Sequence, residues 1–469
     1  MNGALRRFPG LTGVVAAVGA ALLVLLLPRP EAIPAGAQRL AALFLLCLVL
    51  WTTEAIPLAA TSLLALALQP IFGVAPLGAA LTSFISPVFF FVIAMFCLAQ
   101  AFTTSGLSRR FALALLARAG TDPRRVLFAL MAGTAVSSTV ISDVPCTAIF
   151  MAIALPLFDK MGLEPGRSNF GKAVMMGIPI AAFIGGIGTP AGSAINVLGL
   201  TFLEEYGKVR VPFLSWMAIG MPMVVILTPI AWWSVLRFFP PEMATVAGAD
   251  ELAEERAALG PIRATEVKVL TVFGAMFTCW ILSTWVRQLD VALVAILGAV
   301  ALFLPGMKVF GWKEVERATG WDVLLVIGAV TSLGAASVKT GLAKAVVDLS
   351  LGGLGAGSTF SIVAAIAAFT VVIHLVLTIG PVIVAVVVPP IVLLATANGH
   401  NPALFALPVV FTASCAFLLP LDAVMLVTYA KGYYRMVDLF RPGLVISLAW
   451  IVLMAGLMTL LGPRLGFFS

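Results

Sequence analysis

One short stretch of the chain sets a carboxylate among hydroxyls in surroundings that are otherwise apolar. It reads Ser137-Ser138-Thr139-Val140-Ile141-Ser142-Asp143-Val144-Pro145-Cys146-Thr147. An ionised aspartate at bilayer depth costs at least about 2.5 kcal/mol on insertion scales, so its default reading is functional. Asp143 either binds a cation directly or takes up a proton, with Ser138, Ser142 and Thr147 as neighbouring oxygen ligands. A second stretch, Gly185-Gly186-Ile187-Gly188-Thr189-Pro190-Ala191-Gly192-Ser193-Ala194-Ile195-Asn196, cannot be continuous helix, because glycine and proline dominate it. Its freed carbonyls, with Thr189, Ser193 and Asn196, suit a hard cation, and Ser138, Ser142, Asp143 and Gly188 together form a candidate sodium site.

Two further breaks lie in the second half. Thr378-Ile379-Gly380-Pro381 has one side-chain hydroxyl, so Ile379, Gly380 and Pro381 contribute only backbone and shape. The run from Ser414 to Asp422 carries the other acidic candidate, which either answers Asp143 or pairs with Lys431. His374 reads first as a buried neutral histidine with one hydrogen bond, and second as a proton relay. Membrane helices also use hydroxyls for plain packing. Clustering at the breaks favours the binding reading, since irregular backbone at membrane depth belongs where it is buried or lines a cavity.

The elements that hold these residues follow from composition. Of 469 residues, 61% are hydrophobic and 10% are charged, against roughly a quarter charged in a soluble domain. Apolar runs long enough to cross the hydrocarbon core recur throughout. The expected fold is an all-α polytopic membrane protein with about eleven transmembrane helices and two re-entrant hairpins. The crossings fall at 11–28, 38–54, 57–75, 84–106, 172–203, 213–236, 267–286, 290–305, 321–338, 403–430 and 442–462. The hairpins span 124–158 and 358–396, both interrupted near their middles. The scattered Cys47, Cys97, Cys146, Cys279 and Cys415 have neither metal-ligand nor disulfide spacing.

The net charge of +7 reports topology. With Arg6 and Arg7 in the cytoplasm and each hairpin returning to the face it left, most lysines and arginines fall on the inner side, Arg109, Arg110 and Arg118 among them as loop residues. This puts the N-terminus in the cytoplasm and the C-terminus outside, and removes any case for a nucleic-acid partner. Arg6 and Arg7 before an apolar run also resemble a signal peptide with Ala35-Gly36-Ala37 as cleavage site, but the run is long for one, and an uncleaved first span is expected.

The chain repeats itself. Pro87 through Leu107 parallels Asp322 through Leu342 at a constant offset, and each copy precedes an interrupted hairpin and then a span with an irregular centre. Five crossings separate the copies, so they enter from opposite sides, as in inverted-repeat transporters. The expected organisation is N-terminal scaffold helices at 1–80, a first repeat at 81–239 (hairpin 124–158, broken helix 172–203), a cytoplasmic linker at 240–266, and a second repeat at 267–469 (hairpin 358–396, broken helix 403–430).

Several strings resemble the divalent anion/sodium symporter family of the ion transporter superfamily. Trp51-Thr52-Thr53-Glu54-Ala55-Ile56-Pro57 looks like an early family motif, and 185–196 aligns without gaps on its glycine-rich broken helix. Ser414-Cys415-Ala416-Phe417 with Leu419-Pro420, then Gly432-Tyr433, resembles the C-terminal counterpart. In that family each hairpin tip carries serine-asparagine-threonine, which holds sodium and substrate carboxylates. Here those positions read Ser142-Asp143-Val144 and Ile379-Gly380-Pro381.

The resemblance implies a homodimer in a bacterial-type inner membrane, with a scaffold domain and a transport domain moving as an elevator. It also implies cation-coupled symport, by sodium or proton, of a small divalent anion, a C4-dicarboxylate ahead of sulfate or citrate. No cofactor is expected; membrane lipid and a small anionic substrate are the partners. A cation/proton antiporter on the same fold would make Asp143 and Asp422 the cation ligands. An intramembrane enzyme is remote: there is no H-E-x-x-H, no nucleotide-binding loop, and only His374 and His400 as histidine bases.

Overall fold

The computed structural model of the protein describes residues 10–29, 33–246, 256, 258–345 and 357–467. Arg6, Arg7 and most of the acidic part of the expected linker lie outside these residues. Helices account for the regular structure throughout, and no strand occurs among the described residues. The N-terminal part is α1 (Gly10–Leu26), α2 (Ala35–Thr53), α3 (Leu58–Ile71), α4 (Leu77–Phe84) and α5 (Pro87–Thr104).

An order of elements then appears twice. After α5 come a shorter helix α6 (Leu107–Ala119), a hairpin of α7 (Pro123–Ser138) and α8 (Asp143–Lys160), and a broken pair α9 (Asn169–Gly186) and α10 (Ala194–Gly207). The long α11 (Phe213–Phe238) closes the series. Helices α12 (Ala264–Leu282), α13 (Val291–Ala301) and α14 (Trp312–Ala318) lead to α15 (Trp321–Lys339), the counterpart of α5. The hairpin is now α16 (Thr359–Ile373) and α17 (Gly380–Ala397), the broken pair α18 (Pro402–Thr412) and α19 (Ala423–Tyr429), and the closing helix α20 (Met436–Leu461).

Among the described residues, eight segments are long and apolar enough to cross a membrane, the joined α4–α5, α9, α11, α15, α17 and α20 among them. The shorter apolar α1, α3, α13, α16 and α18 fill out the polytopic plan. Exposed leucines, valines and tryptophans, such as Leu26, Trp233 and Val452, face outward, as lipid contact requires.

One expectation needs correction. Arg109, Arg110 and Arg118 stand on helix α6 rather than in a loop. Its apolar face, Leu107, Ala112, Leu113 and Leu116, is buried, and the arginines cluster along the rest. That amphipathic pattern lowers the mean hydropathy and hides the helix from a search for spans. Arg110 fixes α6 to the segment before α12: its Nε meets Glu266 at 2.8 Å, and its Nη1 and Nη2 donate to the Gly260 and Pro261 carbonyls.

Local chemistry sets each hairpin and break. Asp122 caps α7 by accepting from the Arg124 N–H, with Pro123 as first helical residue, and Ser168 caps α9 by accepting from the Gly171 N–H. Asn401 and Pro402 start α18 in the same way. Both broken pairs are clasped by a glycine of the closing helix. A Cβ on Gly220 would fall on the Ile187 carbonyl, and one on Gly443 would fall on the Phe417 carbonyl. The two halves also interlock, with α10 packed on α17 and α18, and α8 and α9 on α19.

Candidate functional site

The break after α9 is held by its own side chains. Asn196 Nδ2 donates to the Gly186 carbonyl at 2.8 Å and to the Thr189 carbonyl at 3.0 Å, and Trp216 Nε1 donates to the Ile187 carbonyl at 2.8 Å. Thr189 Oγ1 donates to the Thr139 carbonyl at 2.6 Å, which ties the break to the first hairpin tip. The Gly186, Ile187 and Thr189 carbonyls of the break therefore already serve structure, because buried carbonyls must find donors.

At the first tip, α7 ends at Ser138 and α8 begins at Asp143. Ser138 Oγ donates to Asp143 Oδ1 at 2.8 Å, and Ser193 from the break also reaches this carboxylate. Gly186 passes so close that a Cβ there would collide with Asp143 Oδ1. The aspartate is 4% exposed, so its charge depends on these two hydroxyls and on whatever cation joins them.

The second half reverses the direction of the tie. His374, at the end of α16, places Nε2 3.0 Å from the Ala413 carbonyl, so the hairpin holds the break. The histidine is 6% exposed and joins hairpin to break through this bond. Asp422 Oδ1 accepts from the Val424 N–H at 3.0 Å and caps α19, and the Gly380 N–H at the second tip also reaches this carboxylate. The described residues show no ion pair between Asp422 and Lys431.

Both tips and both breaks open onto one cavity of about 310 Å³, at the small end of the ~300–1,000 Å³ usual for small-molecule sites. Ser142, Asp143 and Val144 line it from the first hairpin, Ser193 from the first break, Thr378, Ile379 and Pro381 from the second hairpin, and Asp422 from the second break. Six other expected residues lie behind this wall. Ser138, Thr189 and Asn196 act through the bonds just given, and Gly380 packs its backbone against Ile195 and the Ala413 carbonyl. Thr147 and Ser414 are fully buried with hydroxyls that have no partner among the described residues. Gly188 lies under Thr139 and Val224, away from the cavity, so the proposed sodium ligands Ser138, Ser142, Asp143 and Gly188 do not all face one space.

The far wall is one that sequence reasoning left without a role. Trp51, Thr52 and Glu54 at the end of α2, with Val323, Val326 and Ile327 of α15, complete the enclosure. The signal lies in the Trp51-to-Pro57 string, whose family resemblance assigns its side chains no role. The cavity thus holds three carboxylates, Glu54, Asp143 and Asp422, and none of the described residues lining it is Lys, Arg or His.

Residues 10–468 match the family described as "Sodium:sulfate symporter transmembrane region". The chain belongs to the divalent anion/sodium symporter family. A Cupriavidus necator relative named "Membrane protein" is 29% identical over 88% of this chain and 84% of its own length. The "Sodium-dependent dicarboxylate transporter SdcS" of Staphylococcus aureus is 28% identical over 76% of this chain and 73% of its own. Among solved structures, the Alcanivorax borkumensis YdaH transporter covers 82% of this chain and 87% of its own at 16% identity, with a TM-score of 0.47. As a member of this symporter family the chain is a multi-pass membrane protein and a secondary transporter, not an enzyme.

Proposed function

We propose that the protein is a cation-coupled symporter of a small divalent anion, a C4-dicarboxylate before sulfate or citrate. The observation that carries this reading is the single cavity where two hairpin tips and two broken helices meet around Asp143 and Asp422. With no fixed cationic side chain among the described residues of its lining, a dianion there needs neutralisation by co-bound cations, and the first turns of α8 and α17 stand in that wall. Coupling then follows from charge: the anion binds well only after sodium or a proton has met the aspartates. The names of the staphylococcal relatives support a dicarboxylate.

In this reading the hairpins and broken helices move together past a scaffold of α1–α5 and α12–α15, as an elevator, in a homodimer in a bacterial inner membrane with the N-terminus cytoplasmic and the C-terminus outside. Purified protein in liposomes tests it. Radiolabelled succinate uptake is expected to rise with an inward sodium or proton gradient and to be competed by malate and fumarate. Uptake indifferent to both gradients would refute the coupling. The same three-carboxylate lining also fits a cation/proton antiporter, which would move sodium or protons with no anion present.

A further inference from the structure

The end of α2 is built to stop where it does. Thr52 Oγ1 and Thr53 Oγ1 turn back to the carbonyls of Leu48 and Val49, at 2.8 and 2.6 Å, and Glu54 then adopts a left-handed conformation with φ 48° and ψ 34°. Among the described residues only Glu54 and Lys208 do so without being glycine. Such a conformation costs of order 1–3 kcal/mol and persists where surrounding structure fixes it. Pro57 starts α3 three residues later, so the reversal is confined to a short turn.

This turn places two residues with polar groups in the cavity wall. Trp51 is 2% exposed and stands in the cavity wall, and its Nε1–H, buried within that wall, has no hydrogen-bond partner among the described residues. A buried donor left unpaired costs about 1–3 kcal/mol, which a ligand acceptor would recover. Glu54, one helical turn further, lines the same cavity, and the described residues offer its carboxylate no cationic partner. A donor and a carboxylate side by side suit a solute oxygen and the cation that accompanies it.

We propose that the C-terminal turn of α2 is a third wall of the binding site. Trp51 Nε1–H donates to a carboxylate oxygen of the solute, and Glu54 holds a monovalent cation beside it. This rests on the dicarboxylate reading above, but assigns specificity to a part of the fold outside both hairpins and both breaks. The site is then complete only while the tips face α2. A solute with a single carboxylate that stays on the hairpins would lose the contact.

The test is succinate uptake in liposomes by the parent, Trp51→Phe and Glu54→Gln, each checked for folding by size-exclusion profile and thermal midpoint. Phenylalanine keeps one aromatic ring and removes the N–H together with the fused five-membered ring. A raised KM therefore supports the contact only where the thermal midpoint stays parental and Trp51→His, which carries a ring N–H, recovers it. Trp51→Phe is expected to raise the succinate KM about 10-fold, which is the loss of about 1.4 kcal/mol, with the cation dependence intact. Glu54→Gln is expected to raise the half-saturating cation concentration or to lower its Hill coefficient. Folded variants with parental values for both overturn the proposal. A parent that transports no dicarboxylate under any gradient overturns the function it rests on, a different result from parental behaviour in the variants. If both variants misfold, Trp51→His, which restores a ring N–H, decides: parental KM with that ring supports the contact, and an unrecovered KM counts against it.

Discussion

Ser138 Oγ and Asp143 Oδ1 meet at 2.8 Å across the first hairpin tip, joining the last turn of α7 to the first residue of α8. The bond keeps the carboxylate oriented toward the cavity that it lines. Asp143→Asn keeps the shape and an acceptor oxygen but removes the charge. Its expected effect is loss of sodium or pH dependence of uptake, or a rise of at least about 10-fold in half-saturating cation concentration, from an interaction worth about 1.5–3 kcal/mol. Uptake measured against sodium and pH in turn checks this, and unchanged coupling would remove Asp143 from the mechanism.

Gly186→Ala tests the same tip from the other side. A methyl group there would strike Asp143 Oδ1, and the packing between break and tip has no slack. Uptake should fall to background while Gly19→Ala, which meets nothing, stays at the parental rate. Equal activity of the two variants would show that the tip and the break separate more readily than their contacts imply.

His374 serves the second half by its bond to the Ala413 carbonyl. His374→Ala is expected to cost about 1–3 kcal/mol through a buried carbonyl left without a donor, read as a lower thermal midpoint. His374→Gln, which carries a donor, should recover part of it. A proton relay would instead change the pH profile of uptake in both variants alike.

The order of elements was legible in the sequence because hydropathy and helix breakers are local signals. Apolar runs, the Gly185–Gly192 cluster and Pro381 mark the hairpins and broken helices within a few residues. Helix α6 was not, because its arginines offset its buried leucines in any running average. At the candidate site, Asp143 and Asp422 stand out as carboxylates in apolar stretches, but which neighbours face the cavity depends on packing between distant segments. Asn196 sits in the expected string yet donates to the Gly186 and Thr189 carbonyls, whereas Trp51, at the end of α2, joins the cavity wall. Such placement has no periodicity to read.

Arg110 and Glu266 offer a test away from the cavity. Their 2.8 Å pair, with the Glu266 side chain 3% exposed, links α6 to α12. Glu266→Ala leaves a guanidinium without its anion and the Arg263 N–H without its acceptor, so the thermal midpoint should drop by the equivalent of about 1.5–3 kcal/mol. Arg110→Ala should cost a similar amount, and the double variant less than the sum. Additive losses would show that the two side chains act independently.

The glycine clasps at Gly220 and Gly443 bear on how this protein is made robust enough for handling in detergent. Gly274 and Gly456, inside helices with nothing nearby, can take alanine, and each replacement should gain roughly 0.4–1 kcal/mol by restricting the unfolded chain. The clasps allow no such gain: any side chain there pushes a long helix off the carbonyl it covers. A thermostabilised variant assembled from glycine replacements would thus tolerate change at open surface positions and fail at inner ones such as Gly186, Gly220 and Gly443, in both halves of the chain.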